Sequence, residues 1–490
     1  MRTDVRSFDV FDTLIARRDI HPRAVFHKVE ARSGTANFAT MRIASEAVAR
    51  RCADYSFDDI YNVLVTRFGI ASTDAQRLQE LELEVEREQY VPIRRNCDAV
   101  RPGDVFVSDM YLPQSFIAEA IATTCNLEGN PLYVSARGKC SGRIWRSLRS
   151  RFRITRHLGD NLHSDVAMPM LHGIAARWST ISRRTRAETL VERLGYGSLA
   201  RACRVARLGR HDTDPKLQRL IEAQIGLNFP LLYVAALCLI RCGLRNGWTN
   251  FLFSSRDCYL LHRIFTHLVA RLGLPWRATY FLTSRVARSY PSEAYQRYFH
   301  ALCGDEPTVV VDICGFGLSL SRLFNATGRV NTPIFLVQYM PHLCRFAWYR
   351  KLHGIKDWPS ITGLVNIADN LTLEALNPAE HAMVVDVIDT AGAFQPVYAN
   401  LPQSTRSADF SRSLIDAFDS ALTSAASIPD SDLKAWLTTV DRRHVASIIR
   451  ALTWSLRAVA PIRAQQITEN MAVGTILASR RAASRPTAVI

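Results

Sequence analysis

Short runs of β-branched and aromatic residues alternate along this chain with stretches whose apolar positions recur at helical spacing. The first run, Val5 to Phe11, predicts a buried strand, and about 80 residues of helical periodicity follow it. Within them Leu81, Leu83 and Val85 alternate with Glu80, Glu82, Glu84 and Glu86, as a strand would. Leu78, Leu81 and Val85 also share one helical face, and no glycine or proline falls between Ile70 and Tyr90. The spacing therefore predicts a long helix there. An alternating series comes next: strands at Asp104 to Ser108 and Pro131 to Ser135, a helix over Gly142 to Phe152, a strand at Arg156 to Leu158 and a helix over Ser164 to His172.

A second series begins near Pro215. Helical patterning covers Lys216 to Cys242, followed by a strand at Asn250 to Phe253, a helix at Cys258 to Leu272 and a strand at Ala278 to Leu282. A Tyr- and Arg-rich excursion precedes a strand at Thr308 to Asp312, a helix at Ser319 to Phe324 and a strand at Ile334 to Gln338, which should complete the core. From Ser407 onward the pattern is helical. Strands that alternate with helices predict α/β architecture with parallel, doubly wound sheets. The expected organisation is a first domain over 1–185, with a helical insertion over about 18–98, a helical linker over 186–214, a second domain over 215–478 and a frayed basic tail over 479–490.

Length agrees with this division, since 490 residues suit two or three domains of roughly 150 residues. The 48% hydrophobic and 22% charged residues are ordinary globular values and exclude a disordered chain. The formal charge of +16 attracts phosphates, nucleic acids or anionic surfaces. No aromatic-stacking motif or nucleic-acid module accompanies it, so nucleic acid is not the expected partner. The longest apolar run, Phe229 to Ile240, contains Pro230 and is shorter than the roughly 20 residues that span a bilayer; it predicts a buried helix. The start of the chain has no secretory pattern, and 11 cysteines without a Cys-x-x-Cys pair fit neither a disulfide framework nor a zinc module. Cys238 and Cys242 lie one turn apart but have no companion ligands. The expected compartment is a reducing cytoplasm.

Four short segments carry candidate chemistry in the first region. Ser7-Phe8-Asp9-Val10-Phe11-Asp12-Thr13 ends a buried strand in an aspartate, where open α/β sheets place their reactive groups and where a carboxylate can attack phosphorus. Val107-Ser108-Asp109-Met110 offers a hydroxyl and an acid at the next strand end. Gly138-Lys139-Cys140-Ser141-Gly142 puts one of only six lysines at a helix start. Gly159-Asp160-Asn161-Leu162-His163-Ser164-Asp165 supplies an acidic pair suited to a hard cation. In order and spacing the four resemble the haloacid dehalogenase-like phosphohydrolases, over about residues 1–185. The resemblance implies Asp9 as nucleophile, Ser108 and Asp109 toward the phosphate, and Lys139 balancing charge. It also implies Mg²⁺ held by Asp9, the Phe11 carbonyl, Asp160 and Asp165, with the insertion as a cap. Phosphatases of that superfamily usually carry a second acid two residues after the nucleophile. Phe11 stands there, which leaves Asp12 or Asp109 to protonate the leaving group.

In the second region Val311-Asp312-Ile313-Cys314-Gly315-Phe316-Gly317-Leu318-Ser319 reads as strand, acid, glycine loop and helix start, a form that lets backbone approach an anion. It resembles the phosphate loop of type I phosphoribosyltransferases, with Val311 in place of the usual first acid. Ser254-Ser255-Arg256-Asp257 resembles a diphosphate-binding loop, and Thr283-Ser284-Arg285 leads into an excursion containing Arg288, Tyr290 and Arg297 that resembles a closing flap. The order of the two halves is similar to dual-domain ribofuranosyltransferases of bacterial polysaccharide assembly. That similarity implies phosphoribosyl diphosphate and a lipid-linked glycan acceptor as substrates, at the inner membrane surface. Donor contacts would come from Asp312, Arg256, Asp257, Arg285, Gly315, Gly317 and Ser319. Glu374, Asn377, Glu380 and His381, on an expected loop after the core sheet, are candidates for contacting the acceptor, or an ordinary capped helix start. The rival expectation is a phosphatase whose second half only binds.

Overall fold

The order of the strands, more than their number, positions the chemistry. The computed structural model describes residues 3–19, 21–52, 54–341, 346–366, 370–399, 405–456 and 475–476; the expected tail over 479–490 lies outside them. The chain divides into two units, 1–185 with 207–212, and 186–206 with 213–490. Both are mixed α/β with a parallel sheet.

In the first unit β1 (Thr3–Asp9) is flanked in the sheet by β4 (Val105–Ser108) and β6 (Phe152–Gly159). Strands β5 (Leu132–Val134) and β7 (Ala175–Trp178) form the edges, giving the order β5-β4-β1-β6-β7. All pairs are parallel. Val105, Phe106 and Val107 are almost fully buried, as a strand covered on both faces requires. The connection reverses direction between β1 and β6, and a doubly wound sheet opens a crevice at that point, beyond the carboxyl ends of the strands. β7 is missing from the pattern because three of its four residues are exposed and carry no core signal.

Between β1 and β4 the chain leaves and returns through an antiparallel ribbon of β2 (Ile15–Arg17) and β3 (Tyr90–Pro92). The insertion consists of helices Ala24–Ser33, Phe38–Ala49, Phe57–Phe68 and Ser72–Gln89. Ser56 caps the third with a reciprocal bond to Asp59. The long helix forms as expected, but two of its acids are not on a solvated face. Glu82 receives two bonds from Arg42, both at 2.8 Å, and Glu86 receives Arg17 at 2.8 and 2.9 Å. All four side chains are buried. Arg42 also lies over the rings of Phe26 and Tyr111, at 4.6 and 5.2 Å.

The second unit has β8 (Asn250–Ser254), β9 (Arg277–Phe281), β10 (Thr308–Gly315), β11 (Ile334–Tyr339) and β12 (Ile361–Val365), in the parallel order β12-β11-β10-β8-β9. Here the reversal falls between β8 and β10. The sheet does not end at β11, as the pattern suggested: β12 adds an edge, and β13 (Val384–Thr390) pairs with β14 (Ala393–Tyr398) as a hairpin. These strands are half-exposed, so no apolar run marks them.

The apolar run at 229–240 is a buried helix, within a continuous helical stretch Pro215–Asn246 that passes through a wide turn at Gln224–Asn228. The stretch expected as a helical linker is helical, and most of it belongs to the second unit, with 207–212 in the first. Helices Arg186–Arg193 and Gly197–Leu208 bring Val191, Tyr196, Leu199 and Cys203 into the second unit's core, and the Tyr196 hydroxyl meets His444 Nδ1 at 2.9 Å. Their apolar stripe is interrupted by arginines, which hid it. Likewise the expected flap is two packed helices, Arg285–Ser289 and Glu293–Cys303, with Tyr295 and Phe299 in the core.

The buried Arg42–Glu82 pair yields a stability prediction. Arg42→Met strands a carboxylate away from water and should cost about 3–5 kcal/mol. Arg87→Met breaks the exposed pair with Glu119 and the contact over the Phe116 ring, and should cost about 1 kcal/mol or less. Urea unfolding followed by circular dichroism separates the two, and equal losses would contradict the buried pairing.

Candidate functional site

At the reversal point of the first sheet, β1 ends in Asp9 and β6 ends beside Asp160. Both strands point their carboxyl ends at the same crevice because they are parallel neighbours. After β6 a wide helical turn, Leu162–Ala167, brings Asp165 back under the site. Asn161 fixes that turn: its side-chain oxygen accepts the N–H groups of His163 and Ser164 at 2.9 and 3.1 Å. One oxygen from each of Asp9, Asp160 and Asp165 lies within 4.8 Å of the others. Gly159 is obligatory at this approach, since a Cβ there would lie 2.4 Å from the Asp165 side chain.

Lys139 is the compensating cation. Its ammonium donates to Asp9 Oδ1 at 2.5 Å and to Asp165 Oδ1 at 2.6 Å, fully inside the protein. Its loop is held by Asp109, whose carboxylate accepts the N–H groups of Lys139 at 2.7 Å and Cys140 at 3.1 Å. Asp109 thus positions the lysine. Ser108 is buried at the end of β4, one strand from Asp9. Asp12 follows in a left-handed turn, φ 57°, with its N–H on Ile15 O.

Burial dominates the acid–base behaviour here. It holds the Asp9 carboxyl well above the usual range despite Lys139, and neighbouring Asp165 and Asp160 add to the rise. Burial, then the charges of Asp12 and Asp165, push Asp160 up to about 6. Asp165 is pulled the other way: burial raises it, but Lys139 and His157 outweigh burial and hold it below the usual range. Three crowded carboxylates with one lysine leave negative charge uncompensated, and hard oxygen donors of this kind suit Mg²⁺. The residues therefore fit the expected cation, with Asp9, Asp160 and Asp165 as side-chain donors and the Phe11 carbonyl in the same turn.

The crevice holds one participant that motif reading missed. His157, buried within β6, faces Asp165 Oδ1 through Nε2 at 3.2 Å and Ser7 Oγ through Nδ1 at 2.8 Å. Burial lowers its pKa, against the hydrogen bond with Asp165. Its only sequence signal was a histidine inside an expected strand.

The second sheet repeats the arrangement with other residues. Asp312 lies within β10, and its Oδ2 accepts from Arg288 Nη1 at 2.8 Å while Oδ1 accepts the N–H of Ile313 at 2.9 Å. The same arginine reaches Ser254 Oγ at the end of β8, at 3.3 Å. Arg288, expected on a mobile flap, is therefore fixed inside the site. Arg297 instead pairs at the surface with Asp389. The loop after β8 is pinned through Ser255, whose hydroxyl donates to Thr283 O at 2.7 Å and accepts the Thr283 N–H at 2.9 Å. The Ser255–Arg256 peptide bond is cis.

After Asp312 the chain passes Gly315 at φ 151° and Gly317 at φ 81° before helix Leu318–Ala326. Any Cβ at Gly317 would meet Ile361 Cδ1 at 2.8 Å, so this turn requires glycine. Ser319 stands in the helix's first turn. Arg256, Asp257, Arg285 and Glu374 share one electrostatic neighbourhood with Asp312. Burial and Asp312 push Asp257 up to about 6, against Arg256, Arg288 and Arg285. Burial, Asp257 and Asp312 push Glu374 up to about 8, against Arg285 and Arg256.

Glu374 lies on helix Asn370–Leu376, not a loop. His381 is engaged by the Tyr280 hydroxyl at 2.8 Å and by Ala382 O. Asn377 is a structural residue: it is buried and bonds Asn228 and Leu373 O. Glu380 is exposed beside Tyr259.

No protein-family model matches this sequence, and no curated protein does.

A pH dependence follows from Glu374. Its folded-state pKa of about 8 stands above the ordinary 4.5, so folding favours the protonated acid. That contribution is complete below pH 4.5 and is lost as pH rises toward 8. Glu374→Gln should therefore stabilise the protein increasingly across this window, and little at pH 4. Thermal unfolding of both proteins from pH 4 to 8 checks this; a constant difference would contradict the burial of the acid.

Proposed function

We propose that the first unit is a Mg²⁺-dependent phosphohydrolase of the haloacid dehalogenase type, and the second a phosphoribosyltransferase. Together they would place ribofuranose on a glycan in two steps. The convergence of Asp9, Asp160 and Asp165 at the reversal of the first sheet, with Lys139 bonded to the first and last, carries this reading. A parallel sheet has no structural need for three carboxylates in one buried crevice.

In the transfer step an acceptor hydroxyl oxygen bonds to C1 of the ribosyl group, the C1–O bond to diphosphate breaks, and diphosphate leaves. Arg256 and Arg285 receive its charge, while the glycine loop and the first turn at Ser319 hold the 5-phosphate. Asp312, oriented by Arg288, hydrogen-bonds the ribose hydroxyls. The hydroxyl proton passes to Asp257, the neighbouring carboxylate whose pKa of about 6 leaves it ionised at neutral pH. Glu374 and His381 border the acceptor.

In the hydrolytic step Asp9 attacks phosphorus, the phosphorus–oxygen bond to the sugar breaks, and Asp12 supplies the proton that the leaving oxygen needs. Water then cleaves the aspartyl phosphate. Ser108 bonds a phosphate oxygen, and Lys139 balances the charge of Asp9 and phosphate. Mg²⁺ held by Asp9, Asp160, Asp165 and the Phe11 carbonyl would neutralise further phosphate charge. Donor, intermediate and products are all anionic, which agrees with the net charge of +16.

With phosphoribosyl diphosphate, Mg²⁺ and a panel of polysaccharide acceptors, Asp9→Asn should accumulate glycan carrying pentose plus phosphate, seen by mass spectrometry. Its phosphate release should fall by at least about a thousandfold, because an amide cannot act as the nucleophile. Consumption of no donor with any acceptor would reduce the protein to a phosphatase with a binding module.

Asp312→Asn and Arg256→Ala should have the opposite effect. Each should lower transfer by roughly a hundredfold or more, while release of phosphate from a pre-made phosphoribosyl glycan persists. Loss of both activities in either variant would contradict two separate sites.

A further inference from the structure

In the second unit, the connection from β11 to β12 presents a surface that neither sheet needs. Phe346 is 40% exposed, Trp348 59% and Leu352 73%. They lie on or beside the short helix Ala347–Leu352, with the Phe346 and Trp348 rings stacked at 6.4 Å. Large apolar side chains scattered singly on a surface need no explanation, whereas three within seven residues form a patch. Lysines border it: Lys351 and Lys356, two of the six in the chain, are both exposed. Arg350 lies over the Trp358 ring at 6.0 Å, and Asp357 is the one acid between 346 and 358.

The segment is anchored from beneath. Ile355 is buried, and Asn325 on helix Leu318–Ala326 binds it at three points: its Oδ1 accepts the N–H groups of Lys356 and Asp357 at 3.2 Å, and its Nδ2 donates to Asp357 O at 2.9 Å. Arg322 Nη2 reaches His353 Nδ1 at 3.0 Å. Anchoring of this kind holds the aromatic and aliphatic groups outward without burying them.

We infer that residues 346–356 dock the protein on an anionic phospholipid surface, with Phe346, Trp348 and Leu352 entering the headgroup–acyl boundary and Lys351 and Lys356 meeting lipid phosphates. Charge complementarity selects this occupant. Indole and phenyl rings favour the membrane–water boundary, and lysine stems extend along apolar surface while their ammonium groups stay in water. A partner protein of ordinary surface composition offers no comparable sheet of negative charge above an apolar layer. This surface exists whatever reactions the two sheets catalyse, and its test is independent of them.

The experiment is co-sedimentation of the full chain with phosphatidylcholine vesicles, with and without phosphatidylglycerol, at low and high salt. The protein should pellet with phosphatidylglycerol-containing vesicles and be released by salt. Each basic residue at an anionic surface contributes about fivefold in affinity, so Lys351→Gln with Lys356→Gln should weaken binding roughly 25-fold. Trp348→Ser with Leu352→Ser should weaken it at least about tenfold. Removal of 479–490 should leave most of the binding intact. Thermal unfolding of the variants should match the parent, since every altered side chain is exposed. Four results would overturn the inference: equal binding to both vesicle types, variants that bind like the parent, binding lost only with the tail, or a self-association without lipid that Trp348→Ser abolishes.

Discussion

Folding removes an aspartate from water in the crevice at the reversal point of each sheet, and each is matched by one cation that arrives from a different element. Lys139 does this for Asp9 and Asp165; Arg288 does it for Asp312 and ties in Ser254. An uncompensated buried carboxylate costs several kcal/mol, so these pairings decide whether the loops that carry them can sit where they do. The pairings also leave a deliberate imbalance. Three acids face one lysine in the first unit, while Asp257, Asp312 and Glu374 face three arginines in the second. The first crevice therefore carries an excess of acids, which favours a cation, while in the second the acids and arginines are equal in number.

Strand order explains why both clusters lie where they do. In a doubly wound sheet two successive connections leave on opposite faces at one point only, and there the loops part. That point falls between β1 and β6 in the first unit, and between β8 and β10 in the second. Asp9 and Asp160 end the first pair of strands. Arg256 and Asp257 follow β8, and Asp312 lies near the end of β10. Two different strand orders thus deliver reactive residues by the same geometric rule, with no need for the sheets to share ancestry or chemistry.

The sequence carried whatever depended on neighbours along the chain. Asp9, Lys139 and the Asp160–Asp165 turn were readable because each belongs to a strand end or helix start with its own local signal. The insertion and the long helix were readable through apolar spacing. What escaped was pairing across distance. Glu82 and Glu86 look like a solvated face until Arg42 and Arg17 arrive from elsewhere, and nothing beside Arg288 announces Asp312 as its partner. His157 was silent for the same reason. The edge strand β12, the β13–β14 hairpin and the core packing of the helices at 186–208 escaped because half-exposed or arginine-rich elements lack an unbroken apolar run.

Phe11 shows how one aromatic residue ties the turn after β1 to a distant part of the unit. Its phenyl ring packs against Tyr90 at 5.7 Å and lies under the Arg17 guanidinium at 5.1 Å. Arg17 and Tyr90 belong to β2 and β3, the ribbon through which the chain enters and leaves the helical insertion. The ring at this position therefore ties the turn after β1 to that ribbon. In the proposed hydrolysis proton transfer would fall to Asp12 or Asp109, and Asp12 adopts a left-handed backbone that aspartate tolerates better than most side chains. Burial and then the charge of Asp12 raise the Asp160 carboxyl, so the left-handed turn after β1 and the loop after β6 are linked electrostatically as well as by the sheet.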